Sequence, residues 1–401
     1  MNINIPKEVE AALNILHEKG FEAYIVGGCV RDSILGLFPS DWDITTSAKP
    51  EEIIRCLSGY RTIETGIKHG TVVVIIDKMQ IEITTYRIDG EYSDNRRPDN
   101  VLFTDSIEFD LNRRDFTINA LAYNKNEIID LFGGIDDINN KIIKCVGDPD
   151  ERFNEDGLRI LRALRFASVL NFGIEKNTSE SINKNKNLLD NISKERINTE
   201  LNKLLTGSNF PRILMDYRNV IEVFIPELNS LDNEETAYRL NAMKSVDSLI
   251  LRLSVLLYRT EAPDKILSRL KYDNLTIKTV KLLTSSIDEK IYPEPVNIKR
   301  WLNRINYVNL YNIIQIKKAL FKFECENLTN SEKVMDEIIE TNQCYSLKTL
   351  AVGGQDLIDL GVPKGENIGK ILNEVLNEVI EGKLENKKDS LISYIGFNYS
   401  L

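Results

Sequence analysis

The sequence changes character near residue 147, and this change limits the folds that the chain can adopt. Before it, runs rich in β-branched residues at 70–77 and 80–88 predict two strands of a hairpin with a tight link at 78–79. After the Gly-Asp-Pro segment at 147–149, helical spacing dominates. With 401 residues, the chain is also too long for one core. We therefore predict an α+β protein with an N-terminal mixed β-sheet followed by helices.

The composition narrows the chemistry that the chain can perform. Only two histidines are present, which argues against a His-rich zinc site and leaves carboxylates as ligands for a hard ion such as Mg²⁺. The net charge of −10 argues against broad coating of nucleic acid but allows a local basic track.

The cysteine content and the absence of long apolar runs indicate the cellular compartment. The five cysteines are odd in number and form no Cys-x-x-Cys pair, which favours a reduced, cytoplasmic setting. No apolar run approaches the roughly 20 residues of a membrane span, and residues 1–10 do not have the pattern of an export signal. We expect neither membrane association nor secretion.

A pair of carboxylates, Asp41 and Asp43, follows a Gly-Gly-Cys-Val-Arg-Asp segment at 27–32. On a strand, residues i and i+2 face the same side, so both carboxylates would converge on one site. Their repulsion is costly unless cations neutralise it, and two metal ions can stabilise an in-line displacement at phosphorus. Glu82 on the following strand is a candidate third ligand, with a cross-strand salt bridge as the alternative. An isolated Asp-x-Asp could be an ordinary surface feature, but the upstream segment favours a functional site.

The glycine pair predicts a phosphate-binding turn. Gly28 lets the backbone approach an anion before a helix starts, where free N–H groups favour negative charge. Arg31, one turn later, offers a guanidinium that can contact a triphosphate in fork geometry.

Several blocks together resemble a known family. They are YIVGGCVRD with DWD (24–43), RRDFTINA (113–120), DLFGGIDDI (130–138), EDGLRILRALRF (155–166) and SKERINTEL (193–201). In this order they resemble the bacterial class II tRNA nucleotidyltransferases, the CCA-adding enzymes, and their relatives the poly(A) polymerases. The segment 356–376 is similar to the tail of the CCA-adding enzymes.

The resemblance implies a division of the chain and an activity. A catalytic head would span 1–141, a neck that recognises the base 142–207, a body 208–290, and a tRNA-binding tail 291–401. The enzyme would add or repair the CCA end of tRNA from CTP and ATP without a nucleic-acid template, releasing pyrophosphate; DNA is not an expected partner. The alternative is a poly(A) polymerase, or an A-only member of a split CC/A-adding pair.

The resemblance also implies roles for individual residues. Asp41 and Asp43 would bind the metal, while Gly28 and Arg31 would contact the triphosphate. The remaining residues would contact the incoming nucleotide: Arg114, Asp156, Arg159, Arg162 and Arg165.

Asp156 and Arg159 have a physical interpretation of their own. If both lie on one helix they are i,i+3 neighbours, one accepting and the other donating hydrogen bonds. Cytosine and adenine both pair an amine donor with a ring-nitrogen acceptor, whereas uracil and guanine present the opposite pattern. The pair would therefore favour C and A. The alternative is a helix-surface salt bridge, but Arg162 and Arg165 extend a basic stripe that supports the first interpretation.

Three weaker features carry alternatives. The polar loop 89–100, with Arg96 and Arg97, is either a solvated turn or, by the resemblance, a loop that assists the switch from C to A addition. For His69 no catalytic role is expected, because a metal can activate the attacking hydroxyl. For Trp301, we favour a buried side chain over an RNA contact. Its neighbours Arg300 and Arg304 would then be surface arginines.

Overall fold

The strands of the computed structural model lie in its first part, among described residues that comprise 3–90, 100–125 and 127–399. They are β1 (Ala23–Val26), β2 (Trp42–Thr46), β3 (Arg61–Ile63), β4 (Thr71–Ile76), β5 (Met79–Thr85), β6 (Arg87–Asp89), β7 (Val101–Phe103), β8 (Leu121–Tyr123), β9 (Ile128–Asp130), β10 (Ile142–Ile143) and β11 (Gly173–Ile174). Seven of them form one sheet in the order β3-β4-β5-β2-β1-β8-β9. Only the β2–β5 pair in this sheet is parallel, so the sheet is mixed.

The predicted hairpin is present as β4 and β5, with its turn one residue earlier than expected. Asp77 and Lys78 both have positive φ, 45° and 74°, and Met79 already belongs to the strand. A two-residue turn of this hand matches the twist of the flanking strands.

The helices, in chain order, are α1 (Lys7–Glu18), α2 (Gly28–Ile34), α3 (Pro50–Cys56), α4 (Ile107–Asn112), α5 (Gly134–Asn139), α6 (Pro149–Glu155), α7 (Leu158–Leu170), α8 (Lys176–Asn185), α9 (Lys194–Thr206), α10 (Phe210–Asp216), α11 (Arg218–Ile221), α12 (Asn233–Lys244), α13 (Leu249–Leu256), α14 (Pro263–Arg269), α15 (Asn274–Ser286), α16 (Pro295–Leu320), α17 (Cys325–Glu340), α18 (Gly354–Asp359), α19 (Glu366–Ile380) and α20 (Lys388–Asn398). The predicted α+β class is confirmed. The region after residue 141 is helical apart from the short parallel pair of β10 and β11.

The two faces of the large sheet differ. On one face, alternate residues such as Ile44, Val74 and Ile83 are fully buried, and α1, α2 and α3 pack against the strands. The opposite face carries Asp43 and Glu82, with α4 packed beside them against a small apolar cluster that includes Tyr24 and Val26. Strand alternation therefore separates the core from the carboxylates.

The described chain forms two compact units. One comprises 1–230 with 269–271, and the other 231–268 with 272–401. The four-part division into 1–141, 142–207, 208–290 and 291–401 remains a prediction. Within the second unit, α16 packs against α12, α13 and α15.

Buried cations stabilise the second unit. The Lys317 ammonium, 2% exposed, donates to the Ile287 and Glu289 carbonyls at 2.8 and 3.1 Å, just past the end of α15. Arg239, also 2% exposed, donates to the Leu256 carbonyl at the end of α13. Each cation satisfies carbonyls that a helix end leaves free.

The chain's two tryptophans lie in different units. Trp42 is in β2 between the two aspartates, and Trp301 is in α16; both are largely buried. The Arg304 guanidinium lies 4.1 Å from the Trp301 ring centroid, and Arg300 pairs with Glu381 on the surface, so Trp301 is buried beside surface arginines as predicted.

None of the helices among the described residues combines the length and apolarity that crossing a membrane requires.

Candidate active site

The sheet places Asp43 and Glu82 side by side on one face, and Asp41 lies just before β2. Asp43 and Glu82 are direct partners in the parallel β2–β5 register. Asp41 immediately precedes β2, two residues from Asp43, and its carboxylate accepts a hydrogen bond from the Ser40 hydroxyl at 3.0 Å. Neighbouring strands are about 5 Å apart, so the Asp43 and Glu82 carboxylates are close.

The electrostatics of Asp43 indicate a site that favours a cation. Burial, followed by the neighbouring Glu82, raises the pKa of Asp43 to about 6; Asp41 adds to this, while Arg114 opposes it. Among the described residues, no three His, Cys, Asp or Glu side chains already form a closed metal-binding cluster. Asp43 and Glu82 thus form a close pair, with Asp41 at the exposed start of the strand.

Helix α4 positions the arginines beside this pair. Asp110 is fully buried; it accepts from the Thr45 hydroxyl of β2 at 3.0 Å and pairs with Arg113 at 2.8 Å and with Arg114 at 3.5 Å. Burial raises the pKa of Asp110, but the two arginines outweigh it and hold the pKa below its usual value. An ionised Asp110 therefore fixes Arg114 near Asp43.

The glycine turn makes room for Arg114. Gly27 has a φ of 81°, and a Cβ atom there would lie 2.9 Å from the Arg114 Nη1. Gly28 begins α2, whose Arg31 is 8% exposed. The Arg31 side chain donates to Asp32 at 2.8 Å and to Asn119 at 2.6 Å. The predicted triphosphate contacts are thus close to Arg114.

A cleft of about 260 Å³ opens between the end of α4 and the start of α7. It is lined by Arg113, Arg114, Asp115, Asp156, Leu158, Arg159, Arg162 and Arg196. Two buried donors of its wall, Arg114 Nε and Arg196 Nη1, have no hydrogen-bond partner within the part of the chain that the structure describes. A wall with so many guanidinium groups and few carboxylates favours an anionic ligand.

Asp156 and Arg159 both line the cleft, but the predicted helical pairing between them is wrong. Asp156 lies in the break between α6 and α7, with φ −140° and ψ 102°, because Gly157 and Leu158 start a new helix. Its carboxylate accepts from the Leu158 N–H at 3.0 Å and from Arg196 at 2.7 Å. Arg159 instead donates to the Arg113 carbonyl at 3.0 Å and pairs with Glu155. The two side chains are held separately, each by other partners.

Arg162 and Arg165 have different surroundings. Arg162 lines the cleft and donates to Asp115 at 2.7 Å. Burial raises the pKa of Asp115, but Arg162, Asn119 and Arg159 together outweigh it and hold the pKa well below its usual value, so the carboxylate stays ionised. Arg165 is not among the residues lining the cleft; it lies 3.8 Å from the Phe166 ring centroid and 2.9 Å from Glu200. Its nucleotide-binding role remains a prediction.

Sequence reasoning did not single out Asp110, Arg113 and Arg196. Asp110 and Arg113 lie just before Arg114, which was identified, and their i,i+3 spacing at a helix end was the available signal. Arg196 is 40 residues from Asp156 in the chain, and only its place in the SKERINTEL block pointed to it. Arg96 and Arg97, within the loop 89–100, lie outside the described residues.

Three family models match the chain. They are the poly(A) polymerase head domain over residues 23–144, the probable RNA- and SrmB-binding site of polymerase A over 171–231, and the putative tRNA nucleotidyltransferase domain 2 over 242–395. The first contains Asp41, Asp43, Glu82 and Arg114.

Full-length relatives give the same assignment. The CCA-adding enzyme of Ligilactobacillus salivarius is 39% identical over 97% of this chain and 96% of its own length. That of Enterococcus faecalis is 36% identical, again over 97% and 96%. The crystal structure of the Bacillus stearothermophilus CCA-adding enzyme in complex with CTP is 30% identical and superposes with a TM-score of 0.83 over 98% of this chain and 97% of that one. The chain belongs to the CCA-adding enzymes, a family of nucleotidyltransferases.

Proposed function

We propose that this chain completes the 3′ end of tRNA by adding C, C and A from CTP and ATP. The observation that carries the proposal is the arginine-lined cleft next to the Asp43–Glu82 pair, in a chain similar over nearly its whole length to CCA-adding enzymes. The Bacillus stearothermophilus relative, solved in complex with CTP, supports CTP as a substrate.

Asp41, Asp43 and Glu82 are the proposed ligands of a divalent cation. The family is metal-dependent, and three carboxylates with a hard-oxygen donor set fit Mg²⁺. The raised pKa of Asp43 supports this, since burial and then the neighbouring Glu82 disfavour its negative charge when no cation lies beside it. Mg²⁺ there would activate the 3′-hydroxyl of the RNA and stabilise charge on the phosphate.

The arginines would bind and orient the nucleotide. Arg31 and Arg114 flank the glycine turn, where the backbone N–H groups of α2 begin, and would hold the triphosphate with Gly28. The tRNA 3′-hydroxyl would then attack the α-phosphate in line, and pyrophosphate would leave toward these cations.

Base choice would come from the cleft wall. The Asp156 carboxylate accepts hydrogen bonds and is fixed by Arg196 and the Leu158 N–H, while Arg159 offers donors and is fixed by Arg113 and Glu155. Rigid acceptor and donor groups match the shared edge of cytosine and adenine and oppose uracil and guanine. Arg162 would contact the same nucleotide.

The helical remainder would bind tRNA by its backbone and shape. We keep the four parts, with boundaries at 141, 207 and 290, as the proposed functional division. A cytoplasmic location is also proposed, since all five cysteines are free thiols.

The decisive experiment uses three tRNA transcripts, ending before CCA, after the first C and after the second C, each incubated with one nucleoside triphosphate at a time. We expect C on the first two and A on the third. Runs of A on every transcript would identify a poly(A) polymerase, and A on the third transcript alone would identify an A-only enzyme. An Asp41→Ala variant is the control for metal-dependent chemistry.

A further inference from the structure

Two buried side chains, Asp115 and Asn119, connect two arginines of the site. Arg31 donates through Nη1 to the Asn119 Oδ1 at 2.6 Å, and the Asn119 Nδ2 donates to the Asp115 Oδ1 at 3.0 Å. The other Asp115 oxygen accepts from the Arg162 Nε at 2.7 Å. An unbroken chain of hydrogen bonds therefore runs from α2 to α7.

The amide of Asn119 suits the middle of this chain because it both accepts and donates. Asn119 must accept from Arg31 on one side and donate to Asp115 on the other, which fixes the orientation of its amide group. Asn119 and Asp115 are 6% and 7% exposed, so water cannot readily replace either contact. Asn119 itself is not among the residues that line the cleft.

A shared aromatic ring reinforces the same spacing. The guanidinium carbons of Arg31 and Arg162 lie 5.0 and 5.5 Å from the centroid of Phe166, which belongs to α7. Both cations are thus held against one rigid surface in addition to the hydrogen-bonded bridge. Neither guanidinium can move far without losing contacts at both places.

We propose that Asn119 is a positioning residue that sets the distance between the phosphate-binding Arg31 and the nucleotide-binding Arg162. The inference rests on the proposed roles of these two arginines. Through Asn119, Arg31 is held at a fixed distance from Arg162. The α-phosphate is thereby presented to the carboxylates in a single position.

This role predicts a specific kinetic pattern. Loss of Asn119 removes the hydrogen bond that links Arg31 to Asp115 and leaves Arg31 with Asp32 and the Phe166 ring, whereas Arg162 is still held by Asp115. CTP and ATP share the triphosphate, so kcat/KM for both should fall together, by roughly tenfold to a hundredfold for a small misplacement of the reacting group. Binding of cytidine, which lacks phosphates, and the KM for tRNA should not change.

Two variants distinguish the hydrogen bond between Arg31 and Asn119 from the one between Asn119 and Asp115. Asn119→Leu keeps the approximate shape and removes both hydrogen bonds. Asn119→Asp retains an acceptor for Arg31, loses the donor to Asp115, and sets two carboxylates side by side. Asn124→Leu is the matched control, since Asn124 is a buried amide of the same unit, 8% exposed, at the start of the β8–β9 connection.

We would measure kcat and KM for CTP, ATP and tRNA, the inhibition constant of cytidine, and thermal unfolding. Both Asn119 variants should lose kcat/KM for CTP and ATP equally, with parental cytidine inhibition, while Asn124→Leu loses only stability. The positioning role of Asn119 would be refuted if Asn119→Asp had the kinetics of the parent, or if the variants also lost binding of cytidine and tRNA. Should Asn119→Leu fail to fold, Asn119→Asp decides alone.

An Arg31→Ala variant tells the two possible failures apart. If it lowers kcat/KM for CTP and the Asn119 variants do not, the positioning role is wrong and the site assignment stands. If Arg31→Ala leaves kcat/KM for CTP unchanged, the proposed triphosphate contact itself is wrong.

Discussion

The Asp43 carboxyl group titrates in a range where protons compete with a metal ion. Burial and Glu82 raise its pKa to about 6, so it is largely protonated below that pH. Since a metal binds the ionised form, Mg²⁺ affinity should fall by roughly tenfold per pH unit below 6 and change little between pH 7 and 8. Calorimetric titration with Mg²⁺ at pH 5.0, 6.0 and 7.5 tests this. An affinity that is flat across these three conditions would contradict the assignment.

The raised pKa of Asp43 has the opposite effect on folding stability, which should fall as the pH rises, whereas Mg²⁺ affinity should increase. The folded-state pKa of Asp43 lies above its ordinary value of 3.8, so ionisation opposes folding. The stabilising contribution of the protonated group is fully present below about pH 4 and is lost as the pH rises through 6.

We therefore expect Asp43→Asn to be inactive yet more stable than the parent without metal at pH 7.5, by on the order of 1–3 kcal/mol. Denaturant unfolding in EDTA measures it, and the gain should vanish at pH 4. A variant less stable than the parent at both pH values would show that Asp43 has a structural partner instead.

Base choice is tested at Asp156. The Asp156→Ala variant loses the hydrogen-bond acceptor that opposes the carbonyl oxygen of uracil and guanine. Incorporation of CTP and ATP should therefore fall, and UTP and GTP should compete better. The expected change in discrimination is about 1–3 kcal/mol, the cost of an unmatched polar contact. Competitive incorporation of the four triphosphates into tRNA measures it, with the exposed Glu151→Ala of α6 as control. Unchanged preference for C and A would place base selection elsewhere.

At the scale of elements, the turn before α2 can be tested through its glycines. Gly27 has a φ of 81°, and the Cβ atom that Gly27→Ala adds would lie 2.9 Å from the Arg114 side chain, so the arginine must shift. We expect a stability loss of about 1–2 kcal/mol and a KM for CTP and ATP raised roughly tenfold. Gly36→Ala, at φ 72° with no atom within 4 Å of the added carbon, carries similar backbone strain without the clash. Equal KM values for the two variants would refute the role of the turn.

The elements also show what the sequence could predict. The runs of β-branched residues predicted β4 and β5, and with β5 the position of Glu82 on a strand, because β propensity is read from neighbouring residues in the chain. The helix predicted through Asp156 and Arg159 was wrong at Asp156, because the backbone breaks there between α6 and α7. The regular spacing of the later arginines gave no sign of this break. The Asp156–Arg196 contact was also beyond prediction, because it depends on how α9 packs against α7.

At the scale of the whole molecule, the division between units predicts separable binding. Because α16 packs against α12, α13 and α15, a cut near residue 290 would divide one packed unit, whereas a cut after 230 follows the boundary apart from residues 269–271. The fragment 1–230 should bind CTP within about threefold of the full chain, since the cleft lies within it, but need more than roughly tenfold higher tRNA. Nucleotide binding by calorimetry and steady-state kinetics with tRNA test this. Parental tRNA dependence of the fragment would rule out a tRNA-binding role for the second unit.

The placement of the two tryptophans makes the protein its own optical reporter. Trp42 lies between Asp41 and Asp43 in the chain, with its side chain on the buried face of the sheet opposite Asp43, and the Trp301 ring lies against a guanidinium in the other unit. In a Trp301→Phe variant, all indole emission arises from the strand that carries Asp43, and in a Trp42→Phe variant all of it arises 259 residues further along the chain, in α16. Fluorescence of the two variants can therefore time events in each unit separately during a single catalytic cycle, without an attached dye.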